Sequence, residues 1–135
     1  MKKFAYYLCI AALAFGLCAC GGDTKNVETH EVASELYTQD DINSAIAVIE
    51  KEFNNSWKGC TLKELYYAGD ETSQVHQDWA DRNNADAVIV LLSSFDVDAS
   101  GGDGSLNPDS TYDNWMWILV RSSGGQWKHV DHGYG

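Results

Sequence analysis

The chain has 135 residues, 44% of them hydrophobic, and sets 20 acidic side chains against 9 basic ones for a formal net charge of −11. A surface of that sign repels phosphate backbones and anionic headgroups, which argues against nucleic-acid partners and against membrane attachment through a basic face. The length suits one domain with one hydrophobic core and is too short for two.

Lys2 and Lys3 precede an apolar run over 4–17, and the composition turns polar after Leu17-Cys18-Ala19-Cys20. A positive start, a short apolar stretch and small residues before a cut site are the order of a secretion signal. The run is shorter than the roughly 20 apolar residues a membrane-spanning helix needs. Its ending resembles the lipobox of bacterial lipoproteins. That resemblance implies cleavage after Ala19, a diacylglyceryl group on the Cys20 thiol, and retention in the cell envelope on the extracytoplasmic side. Two acyl chains hold more firmly than the marginal grip of one. The alternative is an ordinary secretory cut after Ala19 that leaves an unmodified N-terminal cysteine. Cys18 is a poorer lipid site, because Phe15-Gly16-Leu17 fits the motif less well. Loss of the leader 1–19 removes Lys2 and Lys3 and takes the formal charge to −13. It also removes Cys9 and Cys18, so with Cys20 acylated Cys60 is the one thiol left to the folded part. Nothing near it in sequence supplies a base, and it reads as a small buried apolar residue rather than a nucleophile.

Residues 20–36 read as the lipidated cysteine followed by a flexible tether, since Gly21-Gly22 opens a polar stretch with no apolar period and His30 sits within it. A single domain then spans 37–135. Over 38–56, Ile42, Ala45, Ile46, Ile49 and Phe53 recur at helical spacing and Trp57 prolongs the stripe, with Thr38 and Asp41 placed as a capping box. The stretch 60–68, bounded by Gly59 and Gly69, favours a strand. Residues 73–82 read as a short helix with Val75 and Trp79 on its inner side. The run 87–97 is apolar on both faces through Leu92, which predicts a central strand covered on both sides. A hydrophilic loop over 98–110 holds the only proline, Pro108. A second strong strand covers 112–121, with Trp115, Trp117 and Leu119 on one face and Met116, Ile118 and Val120 on the other. Residues 122–125 turn the chain into a last strand over 126–134. The resulting class is α+β: a long N-terminal helix on a curved antiparallel sheet of about four strands, with one short extra helix.

Three segments carry a wider resemblance: 57–62, 88–98, and the ending from Trp117 through Trp127 to Tyr134. They resemble an uncharacterised family of lipoproteins from Gram-positive bacteria. That resemblance implies the cone-like, nuclear-transport-factor-two-like or cystatin-like fold, in which a helix packs into a curved sheet. It brings no catalytic motif, and the helix content before the sheet is smaller here than in larger members, which implies a cavity reduced or absent.

Several constellations could carry chemistry. Asp96, Asp98, Ser100, Asp103 and Asn107 space oxygen donors around Gly101 as a calcium loop does, although Asn107 stands where a bidentate glutamate belongs and no helix pair flanks them. Calcium is the one cofactor these residues suggest; otherwise none is expected. On the last strand His129 and Asp131, two apart, should share a face with His132 opposite, and Asp113 on the neighbouring strand could join them in acid–base work. Zinc held by His76, His129 and His132 lacks any ligand spacing to support it. The aromatic excess, with Trp115, Trp117 and Tyr66 foremost, suggests that one sheet face meets a ligand. With no recognisable nucleophile, metal motif or phosphate loop, the leading expectation is a non-catalytic envelope domain that binds a small ligand, a peptide or an envelope protein. The alternative is a small hydrolase or isomerase using the His/Asp pair.

Overall fold

The computed structural model describes residues 21–134. The expected leader and Cys20 lie outside the described residues. Helix α1 spans Gln39–Ser56 and is followed by strand β1 (Cys60–Tyr67), short helices α2 (Asp70–Val75) and α3 (Asp78–Arg82), and strands β2 (Ala87–Val97), β3 (Ser110–Arg121) and β4 (Lys128–Gly133). The strands form one antiparallel sheet in the order β1-β2-β3-β4. The α+β class and its helix-on-sheet arrangement therefore stand as expected. Among the described residues no helix is long and apolar enough to cross a membrane.

Helix α1 starts where its capping chemistry says it should. Thr38 accepts from the Asp41 N–H while the Asp41 carboxylate accepts from the Thr38 N–H, which satisfies two donors that the first turn leaves open. Ile42, Ala45, Ile46, Ile49 and Phe53 then bury one face against the sheet. The opposing sheet face supplies Leu62, Leu65 and Tyr67 from β1, Ile89, Leu91, Phe95 and Val97 from β2, and Trp117 and Leu119 from β3. At the N-terminal end of α1, Arg121 pairs with Asp41 at 3.1 Å and lies over the Trp127 ring, whose Nε1 donates to the Asp41 carbonyl.

The other sheet face is closed by the short helices. Val88, Val90, Ile118 and Val120 pack with Ala80 in a second, smaller core, so β2 is covered on both sides as its composition predicts. One short helix was expected here, and two are present. Val75, expected to face inward, is 69% exposed, and Ser73 is buried instead. A serine fits because α2 approaches β2 closely and the Ser73 hydroxyl accepts the Val90 N–H while meeting the Tyr67 hydroxyl. A valine there would leave that N–H without a partner.

The stretch expected to be a tether is folded onto the domain. Asp23 and Glu28 pair in parallel with β1: Asp23 N–H donates to the Cys60 carbonyl, Leu62 N–H to the Asp23 carbonyl, Glu28 N–H to the Lys63 carbonyl and Leu65 N–H to the Glu28 carbonyl. His30 stacks on Tyr66 with ring centroids 4.3 Å apart. The Gly21-Gly22 pair serves close approach rather than flexibility. Gly22 N–H donates to the Phe53 carbonyl at 3.1 Å, and a Cβ at Gly21 would fall 1.6 Å from the Asn54 carbonyl oxygen.

Asp70 fastens the end of this arm. Its carboxylate accepts from the Ser34 hydroxyl, the Tyr67 hydroxyl and the Glu35 N–H, and these donors hold its pKa down at about 2. A carboxylate depressed in the folded state adds stability above its unfolded pKa and loses it as protons are added. The melting temperature should therefore fall as pH drops from about 4 towards 2. Asp70→Asn should flatten that slope, and circular dichroism melts at stepped pH would read it.

Candidate functional site

Where α1 ends, the chain builds a groove from four separate segments. Trp57 caps the helix, its N–H donating to the Phe53 carbonyl, and its ring lies nearly parallel to Phe53 with centroids 5.6 Å apart, an offset stack. Trp115 comes from β3 and His132 from β4, where His132 sits opposite Trp117 in the strand register. The loop between β2 and β3 closes the remaining side with Asp103 and Leu106. The hollow measures about 490 Å³, and Glu52 and Lys58 stand at its margin. Trp57 meets Trp115 at 82° and His132 at 73°, while Trp115 and His132 lie within 26° of parallel. The three rings thus form an aromatic corner. Trp115 Nε1 is buried with no hydrogen-bond partner among the described residues, so packing alone orients that ring.

The loop is shaped by its own side chains. Asp98 accepts from the Ser100 N–H and hydroxyl, Asp103 accepts from the Ser105 N–H and hydroxyl, and Leu106 N–H donates to the Gly101 carbonyl. These local turns keep Asp98 and Asp103 below the usual carboxylate range, the serine hydroxyls being the main cause. Asp96 lies on β2, bonded to Thr111 and 3.7 Å from Lys63, while Asn107 N–H donates to the Tyr112 hydroxyl. Of the five oxygen donors expected as a calcium loop, Asp98 and Ser100 thus bond each other, while the Asp103 carboxylate turns to Ser105 and that of Asp96 to Thr111 and Lys63. Among the described residues, no three His, Cys, Asp or Glu side chains come together as a set able to hold a metal ion.

The expected His129–Asp131 face is corrected by the strand itself. The β3–β4 register shifts between Ile118 and Leu119, setting His129 opposite Leu119 and Asp131 opposite Ile118, with Val130 as the extra residue. A bulge of one residue flips every side chain beyond it. His129 and His132 therefore share the helix-side face, Nε2 of the first 3.2 Å from Nδ1 of the second, and Asp131 goes to the other face. At that separation one ring donates and the other accepts, the roles following from the tautomers. Burial pushes the His129 pKa down, the neighbouring His132 adds to this, and Glu52 opposes it. Asp113 is exposed and accepts from Ser94, away from both histidines.

The three expected ligand-binding aromatics separate as well. Trp115 lines the groove, Trp117 is wholly buried with its Nε1 donating to Ser93 at 2.7 Å, and Tyr66 is taken up by His30 on the arm side of β1. Cys60 lies beneath the groove. Burial, then the charges of Asp98 and Asp103, push its thiol up to about 11, which keeps it protonated and unreactive. Trp57, Glu52, Lys58 and the inward turn of His132 were not singled out from sequence. Trp57 did leave a signal, because it prolongs the apolar stripe beyond the helix stop at Asn54-Asn55. No family model, curated protein or solved structure matches the chain.

Proposed function

We propose that this is a lipid-anchored extracytoplasmic domain that binds without catalysis, and that its groove takes a small organic cation. The observation that carries the reading is the aromatic corner of Trp57, Trp115 and His132 with two carboxylates, Glu52 and Asp103, beside it. Indole faces attract a positive charge by about 0.5–1 kcal/mol when exposed and about 2 when desolvated. The surrounding acidic surface raises the local concentration of such a ligand. Lys58 at the margin suits a ligand that carries an anionic group next to its cationic one. The cone-like lipoprotein family suggested by the segments 57–62, 88–98 and 117–134 is part of this reading, supported by the helix packed on a four-stranded antiparallel sheet.

Tryptophan fluorescence during titration with tetramethylammonium chloride tests it, with sodium chloride controlling for ionic strength and tert-butanol as the neutral analogue. A saturable change with a dissociation constant on the order of 1 mM is expected. Trp57→Ala should abolish it and Trp57→Phe should keep part of it. An equal response to tert-butanol, or none that saturates, would refute the cation-binding reading.

A further inference from the structure

Both the groove and the point where the chain enters the fold lie at one end of the domain. That end holds the C-terminus of α1, the start of β1, the end of β2 and the loop before β3, since Cys60 pairs with Val97 and Val97 with Ser110. Gly21 packs there on Asn54 and Asn55, and Gly22 on Phe53, whose ring backs Trp57. Cys60 lines both the hollow beside Gly21-Gly22 and the groove itself.

We infer that this end of the domain rests against the bilayer surface, so that the groove opens beside the lipid headgroups. The inference depends on the acylation of Cys20 in the reading above. Cys20 is bonded directly to Gly21, and one residue spans at most about 3.6 Å. With Gly22 and Asp23 hydrogen-bonded to the fold, no slack chain separates the acyl attachment point from α1. A domain held that closely has one end at the membrane rather than a free orientation. The other end, with the turn after β3, lies roughly 35 Å away, the length of an eleven-residue strand. Asp98 and Asp103 on the apposed loop suit a zwitterionic surface and would be repelled by an anionic one.

The test uses the full chain purified from membranes and reconstituted in phosphatidylcholine vesicles containing a headgroup-spin-labelled lipid. A fluorophore is placed on Asn107→Cys at the apposed end or on Ser123→Cys at the far end; the buried Cys60 stays unlabelled. Quenching several-fold stronger at position 107 than at 123 is expected. Inserting about ten Gly-Ser residues between Cys20 and Gly21 should remove that difference by restoring a flexible link. Mass spectrometry of the chain and of Cys20→Ser reads the acyl group separately. Equal quenching at 107 and 123 with the lipid mass present overturns the apposition alone. Absence of the lipid mass overturns the anchoring as well.

Discussion

Phe53→Ala should lower the unfolding free energy by about 3–5 kcal/mol, the range for removing a buried phenylalanine from a packed interior. Phe53 is wholly buried and joins four parts of the domain: it stacks on Trp57, meets Phe95 and Trp117 edge-on, and receives Gly22 against its ring. No neighbour can collapse into the space without abandoning its own partners, because Trp117 is tied to Ser93 and Gly22 to the Phe53 backbone. Domains of this size are stable by only about 5–15 kcal/mol, so the variant should melt many degrees lower. Urea unfolding followed by tryptophan fluorescence would measure it. A loss below about 1 kcal/mol would show that the aromatic cluster is not packed as described.

Gly22→Val should release the arm while leaving the sheet formed. A Cβ at that position would stand 2.6 Å from the Phe53 carbonyl oxygen and 2.7 Å from its ring, and a backbone oxygen inside a helix cannot move aside. The arm must lift. It then gives up the Gly22 bond to Phe53 and the four bonds that pair Asp23 and Glu28 with β1. At about 0.5–1.5 kcal/mol for each bond, less the entropy the arm regains, the net loss should be about 2–4 kcal/mol. Hydrogen exchange distinguishes this from general destabilisation. The Leu62 and Leu65 amides donate to the arm and should lose protection, whereas β2 and β3 amides keep theirs. Uniform loss across the sheet would contradict a peripheral, separable arm.

Most of the scaffold was legible because its elements bury apolar side chains at the period their backbone imposes. One stripe from Ile42 to Phe53 marked a helix lying on a flat surface, the two-faced run at 87–97 marked a strand covered on both sides, and the apolar alternation at 112–121 marked a second strand. What escaped detection follows from physics that periodicity does not record. The register shift at Val130 has no compositional mark, and it exchanges Asp131 for His132 as the neighbour of His129. Ser73 took the inner position from Val75 because a hydrogen bond to Val90 mattered more there than greasiness. The Gly-Gly pair read as looseness, although glycine equally permits the tightest contact two backbones can make. The groove was hidden for a different reason. Its walls come from Trp57, Asp103, Trp115 and His132, far apart along the chain and joined only by the sheet order.

The solitary buried sulfur at Cys60 has a bearing on how the protein matures. Among the described residues it is the only cysteine, and its place under the groove denies it any bonding mate within the fold. Nothing in this architecture therefore waits on thiol oxidation. The described fold can reach its native state without help from oxidoreductases, and a reducing or an oxidising milieu should leave it equally intact.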